Sequence, residues 1–342
     1  MRTVPPKTFQ LVKPLNEFLF ELAAVSSNSK LIVAVSGGID SILLANLLPF
    51  VQIKPEVTIA HFDHQLRSNS SKDAKFVETQ ASKLGYKFEL GIAIDAPGKE
   101  NLESWARDRR YAFLESVRRK LNADWILTAH NLNDQVETLL MRTINGRLAT
   151  RSYGIARIDI DRQIARPILS ASRNEVEAVV EELGLDFRED PSNTDLNRSR
   201  NKIRHELIPL LATQYNPRLL ESLGQLSNRL SSDEEYLWSE AEKIFSSASS
   251  WNYFEFLELP SALRWRVLSC WSKNNSGLEL KEHRDIGFRA LNLATNLIAE
   301  KPKDPFSMDL GACIRVIYSP KNGPKFEFYQ HRAPSEGAQF EG

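Results

Sequence analysis

Ser36-Gly37-Gly38-Ile39-Asp40-Ser41 gathers two hydroxyls, two glycines and a carboxylate within six residues. Immediately before it, Leu31-Ile32-Val33-Ala34-Val35 is apolar and rich in β-branched residues, which predicts a short buried strand. Immediately after it, Ile42-Leu43-Leu44-Ala45-Asn46-Leu47-Leu48 has helical character and stops at Pro49. The glycines let the turn take positive φ and curl its N–H groups into a nest, and the helix dipole adds positive potential at the same point. That is the chemistry of a phosphate site. Asp40 beside it would repel a phosphate unless a metal ion lay between them. Without Asp40 and the serines, the stretch would be an ordinary strand-to-helix turn.

Three further constellations carry polar chemistry. In His61-Phe62-Asp63-His64-Gln65-Leu66-Arg67, strand alternation sends His61 and Asp63 one way and His64 the other. These groups are therefore expected to line a nucleotide site rather than to ligate a metal as a cluster. In Glu103-Ser104-Trp105-Ala106-Arg107-Asp108-Arg109-Arg110-Tyr111, Arg110 falls within the apolar face formed by Leu102, Ala106, Phe113 and Val117. Arg107 and Glu103 flank that face. An arginine pointing inward needs an anion, so a phosphate contact is expected; the plainer alternative is a snorkelling arginine and an i,i+4 ion pair. In Thr128-Ala129-His130-Asn131-Leu132-Asn133-Asp134-Gln135-Val136-Glu137-Thr138, Asn131 can cap a helix whose first turns carry Asp134 and Glu137 on one face. The pair, with His130, could hold Mg²⁺ or an ammonium group, or could simply complement the helix dipole.

The elements that must position these groups alternate. Helices are predicted at residues 15–22, following Pro14, and at 70–84, 101–121 and 131–144; further strands are predicted at 57–64, 86–94 and 124–128. This β-α alternation predicts an α/β fold with a doubly wound, mostly parallel sheet, in which ligands gather at the carboxyl ends of the strands. Beyond Pro209 the pattern becomes mainly helical, at 219–245 and 262–271, and ends in a hairpin signalled by Asn322-Gly323. The expected organisation is a catalytic domain over 1–211, a smaller, mainly helical accessory domain over 212–330 and a disordered tail over 331–342.

Composition sets the class. The chain has 342 residues, 42% hydrophobic and 26% charged, with formal net charge zero, as expected of a soluble globular protein. Any nucleic-acid surface must then be local. From Met141 to Arg173 there are seven arginines against two aspartates, a strip suited to an RNA backbone. Between Asn197 and Glu206 four cations, Arg198, Arg200, Lys202 and Arg204, precede the first acid; alone they would read as a solvated basic face. Two distant cysteines, Cys270 and Cys313, argue against a disulfide framework, a zinc site or an iron–sulfur cluster. No apolar signal core opens the sequence and no run reaches membrane-spanning length, so a cytoplasmic location is expected, or the stroma if the protein is plastid-encoded.

SGGIDS resembles the SGGxDS signature of the PP-loop ATP pyrophosphatases, which split ATP between its α- and β-phosphates. It is not the GxxxxGK[ST] phosphate loop, because no Lys-Ser or Lys-Thr follows the glycines. In order and spacing, SGGIDS, HFDHQLR, ESWARDRRY, TAHNLNDQVET, RPIL and DPSN…RNKIRHELIP resemble the motifs of the tRNA(Ile)-lysidine synthetase family over roughly residues 30–211. The resemblance implies a ligase that adenylates the C2 oxygen of the wobble cytidine in a CAU-anticodon tRNA(Ile). The lysine ε-amine then displaces AMP to give lysidine, with ATP as co-substrate and Mg²⁺ as cofactor.

Carried over by motif, the residues from Ser36 to Ser41 (Ser36, Gly37, Gly38, Ile39, Asp40 and Ser41) would hold the ATP phosphates, with Mg²⁺ on Asp40. His61, Asp63, His64 and His130 would line the nucleotide site, and Arg107 and Arg110 would stabilise charge developing on the phosphates. Asp134 and Glu137 would grip the lysine ammonium, with Glu137 helping to unmask the amine, while Arg198, Arg200, Lys202 and Arg204 would meet tRNA. The family's glycine-rich loop is poorer in glycine here, at residues 143–154, so its contacts do not transfer. The accessory domain would position tRNA or serve as a scaffold or homodimer interface. Among rivals, a PP-loop tRNA thiolase needs reactive cysteines, yet neither Cys270 nor Cys313 lies near a motif. A small-molecule amidotransferase or synthetase leaves the arginine strip unexplained. An RNA-binding module with a vestigial nucleotide site leaves Asp40 and Glu137 unexplained.

Overall fold

The computed structural model describes residues 4–66, 69–95, 102–146, 153–189, 199–247, 256, 258–275, 288–311 and 314–328. The chain divides into two compact units, Met1–Leu148 with Tyr153–Arg229, and Ala149–Ser152 with Leu230–Gly342.

In the first unit, α1 (Pro6–Glu17) precedes β1 (Lys30–Ala34), α2 (Ile39–Leu47), β2 (Glu56–Asp63), α3 (Ser70–Leu84), β3 (Lys87–Ile92) and α4 (Leu102–Leu121). Then come β4 (Trp125–Leu127), α5 (Leu132–Ile144), β5 (Ile158–Asp159), β6 (Ile164–Ala165) and α6 (Arg173–Leu183). The short α7 (Ser199–Lys202), α8 (Ile208–Gln214) and the start of α9 (Leu219–Ser247) complete it. The strand order is β3-β2-β1-β4-β6-β5, parallel throughout except for β5, which runs antiparallel to β6. The expected doubly wound, mostly parallel sheet is present. Its centre, β1, is apolar because both its faces are covered: Leu31, Ile32 and Val33 are all buried. One face packs on α1, α2 and α6, the other on α4. The order reverses between β1 and β4, and such a reversal opens a crevice at the strands' carboxyl ends.

Two local expectations change. Pro14 does not begin the first helix: α1 starts at Pro6, holds Pro14 inside it and runs on into a π-turn over Phe18–Leu22. On α4 the buried residues are Trp105, Leu114 and Val117, while Leu102 is exposed, so the apolar stripe is rotated from the one predicted.

The second unit holds the rest of α9, then α10 (Ser261–Asn275), α11 (Phe288–Ala299) and a three-stranded antiparallel sheet of β7 (Phe306–Gly311), β8 (Ile314–Ser319) and β9 (Gly323–Phe328). Gly323, at φ 72°, opens β9 of the predicted hairpin. Its core joins Leu268, Leu291, Ile298, Val316 and Tyr318. The predicted tail over 331–342 lies outside the described residues, as do Arg198 and residues 147–152 of the altered loop. Among the described residues, no helix is long and apolar enough to cross a membrane.

Candidate active site

The carboxyl end of β1 leads straight into the glycine turn. Gly37 has φ +96°, which side chains rarely tolerate, and Gly38 is the extended N-cap of α2. The two serines tie the turn together. Ser41 Oγ donates to the Gly38 carbonyl at 2.9 Å and accepts from the Ser36 N–H at 3.2 Å, while Ser36 Oγ accepts from the Gly38 N–H at 3.3 Å. From outside, the Arg188 N–H donates to the Gly37 carbonyl at 2.9 Å. Ile39 is buried in the core, so it anchors the turn and presents only its backbone to a ligand.

Asp40, one residue into α2, accepts from Asn131 Nδ2 at 2.8 Å and from Arg173 Nη1 at 3.2 Å. Burial pushes its carboxyl pKa up, and Arg173 and Asn131 pull it part of the way back. Among the described residues, no group of three or more His, Cys, Asp and Glu could hold a metal ion. The donor set still suits Mg²⁺, which is commonly bound through one or two carboxylates together with substrate phosphates and water.

At the end of β2, the expected nucleotide-lining groups act largely on the chain itself. His61 Nδ1 is 2.8 Å from the Val35 carbonyl, and burial lowers its pKa. Asp63 accepts from the Gln65 N–H at 2.8 Å and from Ser70 Oγ at 3.0 Å, shaping the turn into α3. His64 packs edge-on to Phe62 and beside Trp105, bordering a cavity of about 290 Å³ with Gln65, Ala93 and Asp95. Burial, then the nearby Arg110 charge, holds its pKa down to about 4.

At the end of β4, Asn131 closes a capping box with Asp134, each side chain accepting the other's N–H at 3.1 Å. The helix-capping alternative is thus realised, but it is not Asp134's only task. Its other oxygen accepts from Arg200 Nη2 at 3.0 Å and Arg204 Nη2 at 3.3 Å. Glu137, fully buried, accepts from Arg200 Nε at 2.7 Å, Arg204 Nε at 2.6 Å and Arg204 Nη2 at 3.0 Å. Burial disfavours the charge of both arginines, but Asp134 and Glu137 outweigh it and raise their pKa values. Arg200 and Arg204, expected on an RNA surface, turn inward because two unpaired carboxylates this deep would carry a large desolvation penalty. Lys202, between them, points to solvent.

His130 Nδ1 lies 2.9 Å from Thr128 Oγ1, and its pKa is well below the usual value, through burial and then the charges of Arg166, Arg110, Arg200 and Arg107. Arg107 and Arg110 lie over the Tyr111 ring at 5.4 and 5.3 Å. Burial would raise the Tyr111 phenol, yet Arg110, Arg107 and Arg166 outweigh it and lower its pKa. Burial, opposed by Tyr111 and helped by Arg107 and Arg200, lowers the pKa of Arg110.

Within the arginine strip, Arg162 is exposed, while other described members have partners in the chain. Arg142 donates to the Gly154 carbonyl, Arg157 lies over Phe18, Arg166 is buried and Arg173 pairs with Asp40 and Glu177. Arg147 and Arg151 lie outside the described residues. Sequence reasoning assigned no site role to Asn131 beyond capping, and none individually to Arg166 or Arg173. Arg166 did stand in the RPIL motif; Arg173 left no signal.

Residues 8–211 match the family model of a PP-loop domain. A tRNA(Ile)-lysidine synthase of Clostridioides difficile is 32% identical over 335 residues, covering 92% of this chain and 71% of that protein. One from Nostoc is 36% identical over 251 residues, 70% of this chain and 72% of that one. Among solved structures, the U34-tRNA thiolase NcsA from Methanococcus maripaludis, with its [4Fe-4S] cluster, superposes with a TM-score of 0.56. That match is 18% identical and covers 66% of this chain and 80% of the thiolase, a likeness of fold alone.

Proposed function

Because the chain belongs to the tRNA(Ile)-lysidine synthase family and carries its PP-loop domain, we propose that it uses ATP to convert the wobble cytidine of CAU-anticodon tRNA(Ile) into lysidine. The C2 oxygen of the cytidine attacks the α-phosphorus, and pyrophosphate leaves. The lysine ε-amine then attacks C2, and AMP leaves with that oxygen. The observation that carries this reading is Asn131. Its side chain bonds Asp40 of the glycine turn and caps the helix bearing Asp134 and Glu137, so one residue joins a phosphate-binding turn to a carboxylate pair.

The N–H groups of the turn and the α2 dipole would hold the triphosphate, and Asp40 would hold Mg²⁺. When bound, Mg²⁺ would neutralise charge on the phosphates. Lysine brings two ammonium groups and one carboxylate: Asp134 and Glu137 would accept from the ε-ammonium, while Arg200 or Arg204 would face the carboxylate. Glu137 would also help unmask the amine. Arg107 and Arg110 would offset charge at the α-phosphoryl group. The region after residue 211 is assigned to tRNA positioning or self-association, and native mass measurement would reveal a homodimer. A cytoplasmic site of action fits the sparse cysteines.

The test incubates the protein with ATP, labelled lysine and CAU-anticodon tRNA, then digests the tRNA to nucleosides. Labelled lysidine is expected, with one AMP and one pyrophosphate for each. Label absent from the nucleosides, or ADP as the product, would refute the reading.

A further inference from the structure

Arg166 leaves β6 on the same edge of the sheet as His130 leaves the neighbouring β4, because β4 and β6 pair in parallel. It is only 6% exposed. Nη1 donates to the Ala156 carbonyl at 2.7 Å, but Nε is sealed from solvent and donates to nothing. The Tyr111 hydroxyl, close enough for Arg166 and Arg110 to act on it, is likewise buried with no well-aligned partner. Such groups carry a desolvation penalty that no bond offsets.

The charge around them is also one-sided. Arg107 and Arg110 flank the Tyr111 ring, and His130 stands neutral beside them. Among the described residues, no ion pair joins Arg107, Arg110 or Arg166 to a carboxylate; Asp134 and Glu137 are engaged by Arg200 and Arg204. Three guanidiniums, two from α4 and one from the end of β6, with an N–H and a hydroxyl that lack a well-aligned partner, form a set of donors short of acceptors.

We propose that Arg166, with Arg110, Tyr111 and His130, forms a phosphate cradle distinct from the glycine turn, and that Arg166 is a phosphate ligand. Guanidinium forks suit the several oxygens of a phosphoryl group, and a carboxylate would leave most of this positive charge unanswered. The phosphoryl group is either that of the nucleotide, retained on AMP, or one from the RNA backbone. The nucleotide source rests on the adenylation reading given above; the RNA source does not.

The experiment titrates AMP and, separately, CAU-anticodon tRNA against wild type, Arg166→Met and Arg166→Lys. AMP binding is read by calorimetry and tRNA binding by filter retention at two salt concentrations. If the nucleotide supplies the phosphate, Arg166→Met binds AMP about tenfold more weakly, with tRNA affinity unchanged. If RNA supplies it, tRNA affinity falls, the salt slope drops by about one and AMP is unaffected. Arg166→Lys keeps the charge but lacks Nε, so it shows the same loss even if the Met variant does not fold. Affinities within about twofold of wild type for both ligands in the folded variant would overturn the proposal. Wild type that binds neither ATP nor AMP would instead refute the adenylation reading, leaving the tRNA arm to decide the cradle.

Discussion

Replacing Glu137 by Gln probes the most deeply placed charge of the candidate site. Glu137 has no exposed side-chain surface and accepts three charge-assisted bonds, from Arg200 Nε at 2.7 Å and from Arg204 Nε and Nη2 at 2.6 and 3.0 Å. Removing one member of a buried ion pair costs about 3–5 kcal/mol. Here the two guanidinium side chains remain 26% and 37% exposed and Asp134 still faces both, so part of the lost attraction is regained. That leaves a destabilisation of about 2–3 kcal/mol, or a fall in Tm of about 4–12 °C for a unit of this size. Urea titration followed by tryptophan fluorescence should show the lower midpoint at unchanged slope. Adding Arg204→Met should restore about 1 kcal/mol, because the second change removes a charge that the first left uncompensated. A Glu137→Gln midpoint within the error of wild type would refute the ion network as drawn.

Three other perturbations follow. Asp40→Asn should abolish pyrophosphate release without lowering Tm at pH 7. Burial raises the Asp40 pKa, so its stabilising protonated form is complete only at acid pH and is lost as pH rises through the folded value; a clear fall in Tm at pH 7 would contradict this. His64→Gln should flatten part of the acid limb of stability. A His pKa held down to about 4 favours the neutral ring, so wild type loses stability as pH falls from about 6.5 towards 4, and the variant should lose less. Equal slopes for the two proteins would count against a buried, neutral His64. Gly37→Ala forces a side chain into φ +96° with Val77 Cγ2 already 3.4 Å from the new Cβ, so it should cost about 1–3 kcal/mol and weaken ATP binding measured by calorimetry. Wild-type ATP affinity would show that the turn does not need that backbone conformation.

Much of the first unit was legible because its signals are local. The apolar run before Ser36 and the Gly-Gly turn place β1 and α2 by composition alone, and the capping signal at Asn131 fixes the start of α5. What remained hidden was pairing across sequence distance. Nothing near Arg200 or Arg204 shows that they reach back 63 and 67 residues to Glu137; the same run of cations would look alike on a solvated face. Arg173 is the same case, 133 residues from Asp40. The arginine strip did not show which of its members turn inward, because linear charge density says nothing of direction. Short β5 and β6 turn Arg166 into the protein, and neighbouring arginines find a carbonyl, a ring and a carboxylate. Pro14 misled for a related reason: a proline that suits a helix start is also tolerated within a helix whose packing holds it, here between buried Val12 and Leu15.

The distribution of compensated charge bears on how the site meets its ligands. Three carboxylates of the site already have a cation: Arg173 for Asp40, Arg200 and Arg204 for Asp134 and Glu137. The guanidiniums of Arg107, Arg110 and Arg166 have no carboxylate in return among the described residues. The resting crevice therefore presents an excess of positive charge, which attracts polyanions over distances of about the Debye length. Lysine, with two ammonium groups and one carboxylate, is a net cation at neutral pH, so the same field opposes its approach. Nucleotide capture should then slow and weaken with rising salt, while lysine capture should quicken as the repulsion is screened. Stopped-flow association of ATP and of lysine at two ionic strengths separates the two, and equal salt dependence for both ligands would mean that this charge imbalance is neutralised by groups other than those around Tyr111.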